Sequence, residues 1–89
     1  MTERTIVIVN KLGLHARAAA KLVTLAAKFK CDIRAVKDGK EVSGKSIMGI
    51  MMLAAGKGSR ITLRADGPDA DKALDALEAL VARKFDEAA

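Results

Sequence analysis

Four short segments have the hydrophobic and polar pattern typical of β-strands. All five residues of the run Thr5-Ile6-Val7-Ile8-Val9 are β-branched, which predicts a first strand over Arg4–Val9. Asp32–Val36 and Arg60–Ala65 alternate apolar and polar residues, which is typical of strands with one buried face. A third, short strand is predicted at Glu41–Ser43, because the Asp-Gly pair before it indicates a hairpin turn between two extended runs.

Three other segments have apolar residues at helical spacing. The first is predicted from about Ala16 to Phe29, and the second covers Ile47–Leu53, ends by Gly56 and follows Ser46, a natural N-cap residue. The third begins after Gly67-Pro68-Asp69, where Asp69 or Gly67 is predicted to cap the helix. Its apolar stripe consists of Ala70, Ala73, Leu74, Leu77, Leu80, Val81 and Phe85.

The order of elements is therefore β-α-β-β-α-β-α, which predicts an α+β fold. No linker or internal repeat divides the 89 residues, so we expect a single domain over residues 1–89. A four-stranded antiparallel sheet covered on one face by three helices, an open-faced β-sandwich, satisfies all of these patterns.

Composition limits the chemistry that the chain can perform. Cys31 is the only cysteine, so no internal disulfide is expected and a reducing cytoplasm fits. One histidine and one cysteine cannot supply a zinc site, and no acidic calcium loop is present, so no metal is expected. No apolar run approaches the roughly 20 residues of a membrane span, and the N-terminus does not resemble a signal peptide.

The net charge of +5, from 16 basic and 11 acidic residues, makes nucleic acid a candidate partner. Against this, the basic residues are scattered along the chain, and Phe29 and Phe85 are the only aromatic residues. Both fall at apolar helix positions, so no stacking surface for bases is predicted. The pattern favours a solvated basic surface, with a face for acidic partner proteins as the alternative.

The strongest candidate for chemistry is Gly13-Leu14-His15-Ala16-Arg17, which holds the only histidine at a strand-to-helix junction. The first backbone N–H groups of a helix are unpaired, and with the helix dipole they favour an anion. Arg17 adds donors suited to phosphate oxygens. A nucleophilic imidazole beside such a site is suited to forming a transient phosphohistidine. A capping or solvent-facing histidine without chemistry would give the same local pattern.

Two segments carry a resemblance to a known family. The run from Asn10 to Arg17, Asn-Lys-Leu-Gly-Leu-His-Ala-Arg, resembles the active-site segment of the histidine-containing phosphocarrier (HPr) family of the phosphoenolpyruvate-dependent phosphotransferase system. Its first four residues are closer to the nitrogen-regulatory branch than to the sugar-transport branch. Lys45–Met51 resembles the regulatory serine segment of the family. The chain departs from the family pattern at Ala18, where proline is usual.

The resemblance implies a monomeric phosphocarrier that needs no cofactor. The δ-nitrogen of His15 would accept a phosphoryl group from enzyme I and pass it to a downstream IIA-type acceptor protein. The backbone N–H groups of Ala16 and Arg17 are the expected phosphoryl cradle.

The resemblance also implies regulation. Ser46 would be the target of a serine kinase and phosphorylase, although an N-cap role alone explains a serine there. The docking surface is predicted from the residues themselves, because Ile47, Met48, Met51 and Met52 are more apolar residues than one buried stripe of a short helix needs. Some of them should therefore be exposed, with core packing as the alternative, and together with Leu14 they are predicted to form an apolar docking ring around His15. The alternative function is a regulatory protein-binding module that acts through Ser46 without phosphate transfer; the presence of His15 with Arg17 argues against it, since that role needs no nucleophile.

Overall fold

The computed structural model describes residues 1–86. Within them the chain forms four strands and three α-helices in the predicted order. The elements are β1 (Thr2–Val7), α1 (Ala16–Ala26), β2 (Asp32–Lys37), β3 (Lys40–Ser43), α2 (Ile47–Met52), β4 (Arg60–Asp66) and α3 (Ala70–Ala82), followed by a short 3₁₀ turn (Lys84–Asp86).

The strands form one antiparallel sheet in the order β1-β4-β2-β3. Because side chains alternate between the faces of a strand, Ile61, Leu63 and Ala65 of β4 enter the core together. The apolar stripes of the helices pack against this face, and the other face of the sheet is open. The predicted open-faced sandwich is therefore confirmed.

The open face of the sheet is covered by polar side chains. Arg64 donates hydrogen bonds to Glu3 (2.6 Å) and to Glu41 (2.8 Å), and the hydroxyls of Thr5 and Thr62 lie 3.1 Å apart. Exposed ion pairs of this kind contribute about 0–1 kcal/mol each. Burial of the apolar face is therefore the main force that holds the helices on the sheet.

Two predicted boundaries are wrong by a few residues. The first strand begins at Thr2 and ends at Val7, because its partner β4 begins at Arg60, opposite Val7. Helix α1 ends at Ala26 and does not reach Phe29. Beyond it the backbone narrows to a 3₁₀-like turn, since the N–H groups of Lys28 and Phe29 donate to carbonyls three positions back.

The prediction that the last helix reaches Phe85 is also wrong. Helix α3 ends at Ala82, and Lys84, Phe85 and Asp86 all have φ between 55° and 59°. This left-handed turn carries the Phe85 side chain into the core, where it is 3% exposed. The apolar stripe thus predicted the burial of Phe85 correctly, but not the backbone conformation that achieves it.

Asp69 is the N-cap residue of α3, one of the two predicted alternatives, and its carbonyl accepts a hydrogen bond from the N–H of Ala73 at 2.9 Å. Its side chain, however, makes no capping hydrogen bond. Its two carboxylate oxygens accept hydrogen bonds from the backbone N–H groups of Lys30 (2.8 Å) and Cys31 (2.9 Å). These bonds, that of Lys30 above all, hold the pKa of Asp69 below its usual value, because they favour the charged form. Asp69 therefore joins the segment before β2 to the start of α3.

We expect this carboxylate to make stability depend on pH in the acid range. A carboxyl group whose pKa is lower in the folded protein than in the unfolded chain stabilises the fold at any pH above its pKa in the unfolded chain, about 3.9. This stabilisation is lost as the pH falls through the pKa of the group in the folded protein. When the pH is lowered from 6 to 2, the midpoint temperature of thermal unfolding should therefore fall further in the parent protein than in the Asp69→Asn variant. Parallel midpoint curves for the two proteins would contradict this role.

Candidate active site

The turn that carries His15 is fixed from inside the protein. Asn10 is fully buried, and its side-chain Nδ2 donates to the carbonyl of Gly13 at 2.8 Å. Gly13 has a φ of +67°, and a Cβ placed on it would lie 2.5 Å from the carbonyl oxygen of Ala55. The next residue, Leu14, donates its N–H to that same oxygen at 2.8 Å. The turn therefore requires glycine at position 13 and packs directly on the loop after α2.

His15 follows this turn as the N-cap residue of α1, with an extended backbone (φ −73°, ψ 176°). Its carbonyl accepts the first helical hydrogen bond, from the N–H of Ala19 at 2.8 Å. Its imidazole makes no capping hydrogen bond and is half-buried. The interpretation of His15 as a side-chain cap is therefore wrong, and the ring is accessible from solvent.

The start of α1 is suited to an anion next to the imidazole. The N–H groups of Ala16, Arg17 and Ala18 precede the first helical hydrogen bond, and the first turn contains no acidic residue. Ala16 and Arg17 are exposed, whereas Ala18 is buried. Since the helix does not use the N–H of Ala18, the proline that the family has there is compatible with this first turn.

A cavity of about 250 Å³ lies beside His15. Arg17 and Lys21 line it from α1, and Phe85 and Asp86 line it from the left-handed turn. Lys21 is held there because its Nζ donates to the carbonyl of Phe85 at 2.9 Å and lies 3.6 Å from the Asp86 carboxylate. The cavity therefore places Arg17 beside His15, where its guanidinium suits a phosphoryl dianion, while Lys21 is paired with the Asp86 carboxylate.

Helix α2 presents an apolar surface. Ser46 caps this helix, since its Oγ accepts a hydrogen bond from the N–H of Gly49 at 3.0 Å. Met48 is 73% exposed, and the exposed side chains next to it on α2 are Ile47, Met51 and Met52. The predicted exposure of the α2 side chains is confirmed, and we call these four residues the methionine face.

Leu14 does not belong to an exposed docking ring, contrary to the prediction. It is 6% exposed and packs in the core, because the turn points it inward and presents His15 outward. Leu12, which the sequence interpretation missed, is 63% exposed and lines the cavity with His15. An apolar residue between Lys11 and Gly13, where a turn usually has polar residues, was the available signal.

Residues 1–86 contain neither a metal site nor a membrane-spanning helix. No group of three or more histidine, cysteine, aspartate or glutamate side chains in this range could hold a metal ion. None of the helices that the structure describes has the length and apolar character needed to cross a membrane.

Comparisons with known proteins all lead to one family. The family model for the PTS HPr component phosphorylation site matches residues 2–83. The chain is 55% identical over 87 residues to the phosphocarrier protein HPr of Cupriavidus necator, covering 98% of each chain. It is also 55% identical over 86 residues to the phosphocarrier protein NPr of Shewanella violacea, covering 97% of this chain and 94% of that protein.

The fold of the chain is also found in a solved structure of similar sequence. The crystal structure of HPr-C-His from Thermoanaerobacter tengcongensis superposes with a TM-score of 0.95 at 48% identity, with full coverage of both chains. The match to the family model, the similar sequences and the common fold show that the chain belongs to the HPr family of phosphocarrier proteins of the phosphotransferase system.

Proposed function

We propose that the protein carries a phosphoryl group on His15, which it receives from phosphorylated enzyme I and passes to a IIA-type acceptor protein. The observation that carries this proposal is the position of an accessible imidazole directly before the unpaired N–H groups of α1. When the group is received, the ring δ-nitrogen of His15 forms a bond to phosphorus while the bond between phosphorus and the donor group of enzyme I breaks. When it is passed on, that N–P bond breaks while the nucleophile of the acceptor protein forms its own bond to phosphorus.

The neighbours of His15 have distinct roles in this proposal. The backbone N–H groups of Ala16 and Arg17 bind phosphoryl oxygens, and the Arg17 guanidinium neutralises their charge. Orientation for transfer comes from the partner proteins, so the carrier needs no cofactor of its own. A single chain suffices, because the nucleophile and the anion site come from one turn.

The methionine face is the proposed docking surface for both transfer partners. Ile47, Met48 and Met51 are exposed together, and methionine side chains adapt to different partner surfaces. Leu12 replaces the buried Leu14 as the apolar residue at the edge of the site. We expect these complexes to be transient, with interfaces at the small end of the usual range.

The test is a phosphorus NMR spectrum of the protein incubated with phosphoenolpyruvate and a catalytic amount of enzyme I. A new phosphoramidate resonance is expected, stable in alkali and lost in acid. The reaction without enzyme I is the control and should give no such signal. Absence of the resonance, or a product that is stable in acid, would overturn the proposal.

Arg17→Lys should slow phosphoryl transfer. An ammonium retains the charge but lacks the planar donor fork of guanidinium. Loss of one charge-assisted hydrogen bond, about 1.5–3 kcal/mol, corresponds to a rate that is roughly 10- to 150-fold lower if the bond acts in the transition state. The matched control is Arg60→Lys, on an exposed residue of β4, which should transfer at the parental rate. Equal transfer rates for Arg17→Lys and the parent would show that the Arg17 guanidinium does not bind the phosphoryl group during transfer.

We further propose that phosphorylation of Ser46 regulates docking. The Ser46 side chain lies at the start of α2, directly before the methionine face. A phosphate there is compatible with the helix N-terminus, so the modification leaves the fold intact while it places negative charge at the docking surface.

Ser46→Asp tests this regulation, with Ser46→Asn as a matched control. Both side chains cap helices well, so both variants should unfold within about 1 kcal/mol of the parent. Only the aspartate adds charge, and we expect it to raise the KM for the carrier in the enzyme I reaction while kcat is unchanged. An equal KM for the two variants would leave Ser46 with its capping role alone.

A further inference from the structure

A second concave surface lies between the outer side of α1 and the end of α3. It is a groove of about 420 Å³ that no residue of α2 lines, so it is separate from the methionine face. Its lining includes the cationic residues Arg17, Lys21, Lys28 and Arg83, and the apolar residues Leu25 and Leu80. We call this surface the basic groove.

The protein already places one carboxylate of its own in the basic groove. Asp86 accepts a hydrogen bond from Nε of Arg83 at 3.2 Å, and its other oxygen lies 3.6 Å from Nζ of Lys21. Arg83 is the main reason that the pKa of Asp86 lies below its usual value. These two cations therefore bind a carboxylate in the folded protein, and the four cationic residues that line the groove exceed its one carboxylate, Asp86.

The two ends of the groove offer further cations. Within residues 1–86, neither Arg17 nor Lys28 forms an ion pair with a carboxylate. They are eleven positions apart along α1 and the turn that follows it, which is about 16 Å at a helical rise of 1.5 Å per residue. One small anion cannot reach both, whereas about five residues of an extended peptide span this distance.

The apolar residues of the groove also limit the class of ligand. Leu25 is half-buried and Leu80 is buried, and together they give the groove an apolar component between its charged ends. No aromatic residue lines the groove, so it offers no surface on which nucleic-acid bases could stack. The combination suits a peptide that carries carboxylates on both sides of an apolar side chain.

We propose that the basic groove binds an acidic peptide segment of a partner protein. Two carboxylates of the segment, about four residues apart, pair with Arg17 and Lys28, and the apolar residue between them contacts Leu25 and Leu80. Binding at this surface requires neither phosphorylated His15 nor the methionine face. Arg17 belongs both to this groove and to the proposed phosphoryl site, but peptide binding involves no phosphoryl group, so it goes beyond the proposed transfer and is measured on the unphosphorylated protein.

The test is a titration of the whole, isotope-labelled protein with the peptide acetyl-Ser-Glu-Thr-Leu-Thr-Glu-Ser-amide, followed by NMR. Saturable chemical-shift changes are expected along residues 17–28 and 80–86. Lys28→Glu should raise Kd by about tenfold or more, the equivalent of about 1.4 kcal/mol. The matched control, Lys57→Glu, makes the same charge change at an exposed residue outside the groove and should raise Kd by less than about twofold.

Thermal unfolding checks that Lys28→Glu is folded, as its exposure leads us to expect. A second peptide, with serine in place of leucine, tests the apolar contact and should bind more weakly. Equal loss of affinity in the two charge variants, equal affinity of the two peptides, or shifts confined to residues 47–52 would each overturn the proposal. Tighter binding of a single-stranded oligonucleotide with matched charge would also overturn it, and would assign the groove to nucleic acid.

Discussion

Replacement of His15 by alanine is expected to abolish acceptance of phosphate from enzyme I. His15 is the only histidine in the sequence, so no second imidazole can form a phosphoramidate. The side chain makes no capping hydrogen bond in α1, and its backbone carbonyl, which accepts from Ala19, is kept by the substitution. The variant should therefore fold as the parent does but should no longer accept a phosphoryl group.

The measurement is the amount of acid-labile phosphate bound per chain after incubation with phosphoenolpyruvate and enzyme I. Circular dichroism and thermal unfolding of the same sample establish that the variant is folded. Lys11→Ala, an exposed substitution in the same turn, is the matched control and should accept phosphate as the parent does. Acid-labile phosphate on His15→Ala would show that the nucleophile lies elsewhere.

Gly13→Ala should be the most destabilising of the substitutions considered. A side chain at a φ of +67° costs about 1–2 kcal/mol, and the added Cβ would meet Ala55 and Gly56 at 2.5–2.8 Å. Crowding of this kind costs about 1–3 kcal/mol more, because the atoms it meets belong to the backbone. At about 4–8 °C per kcal/mol for a domain of this size, the unfolding midpoint should fall by more than about 10 °C.

Gly39→Ala separates the two causes. Gly39 also has a positive φ, of +79°, but nothing lies within 4 Å of a Cβ placed on it. The free energy of unfolding of Gly39→Ala should therefore fall only by the cost of a side chain at a positive φ, about 1–2 kcal/mol. This variant should transfer phosphate at the parental rate. Gly13→Ala should also slow transfer, since the displaced turn carries His15. Equal destabilisation by the two substitutions would show that the contact with Ala55 is not tight.

The order of elements and the location of the candidate site could be predicted from the sequence, because both depend on local patterns. The alternation in β4, the helical spacing in α3 and the Asp-Gly hairpin before β3 each involve neighbouring residues. His15 before a helix start is equally local, since the unpaired N–H groups belong to the first turn of that same helix. The similarity to the family added the roles of Ser46 and of the partner proteins.

The positions that were predicted wrongly depend on contacts between residues far apart in the chain. Leu14 is buried and Leu12 exposed because the loop at Ala55 fixes the turn. The Asp69 side chain bonds Lys30 and Cys31 across the fold and makes no capping hydrogen bond to its own helix. Phe85 is brought into the core by a left-handed turn. In each case a long-range contact outweighs a local preference of about 1–2 kcal/mol, and only the packed structure shows which contact forms.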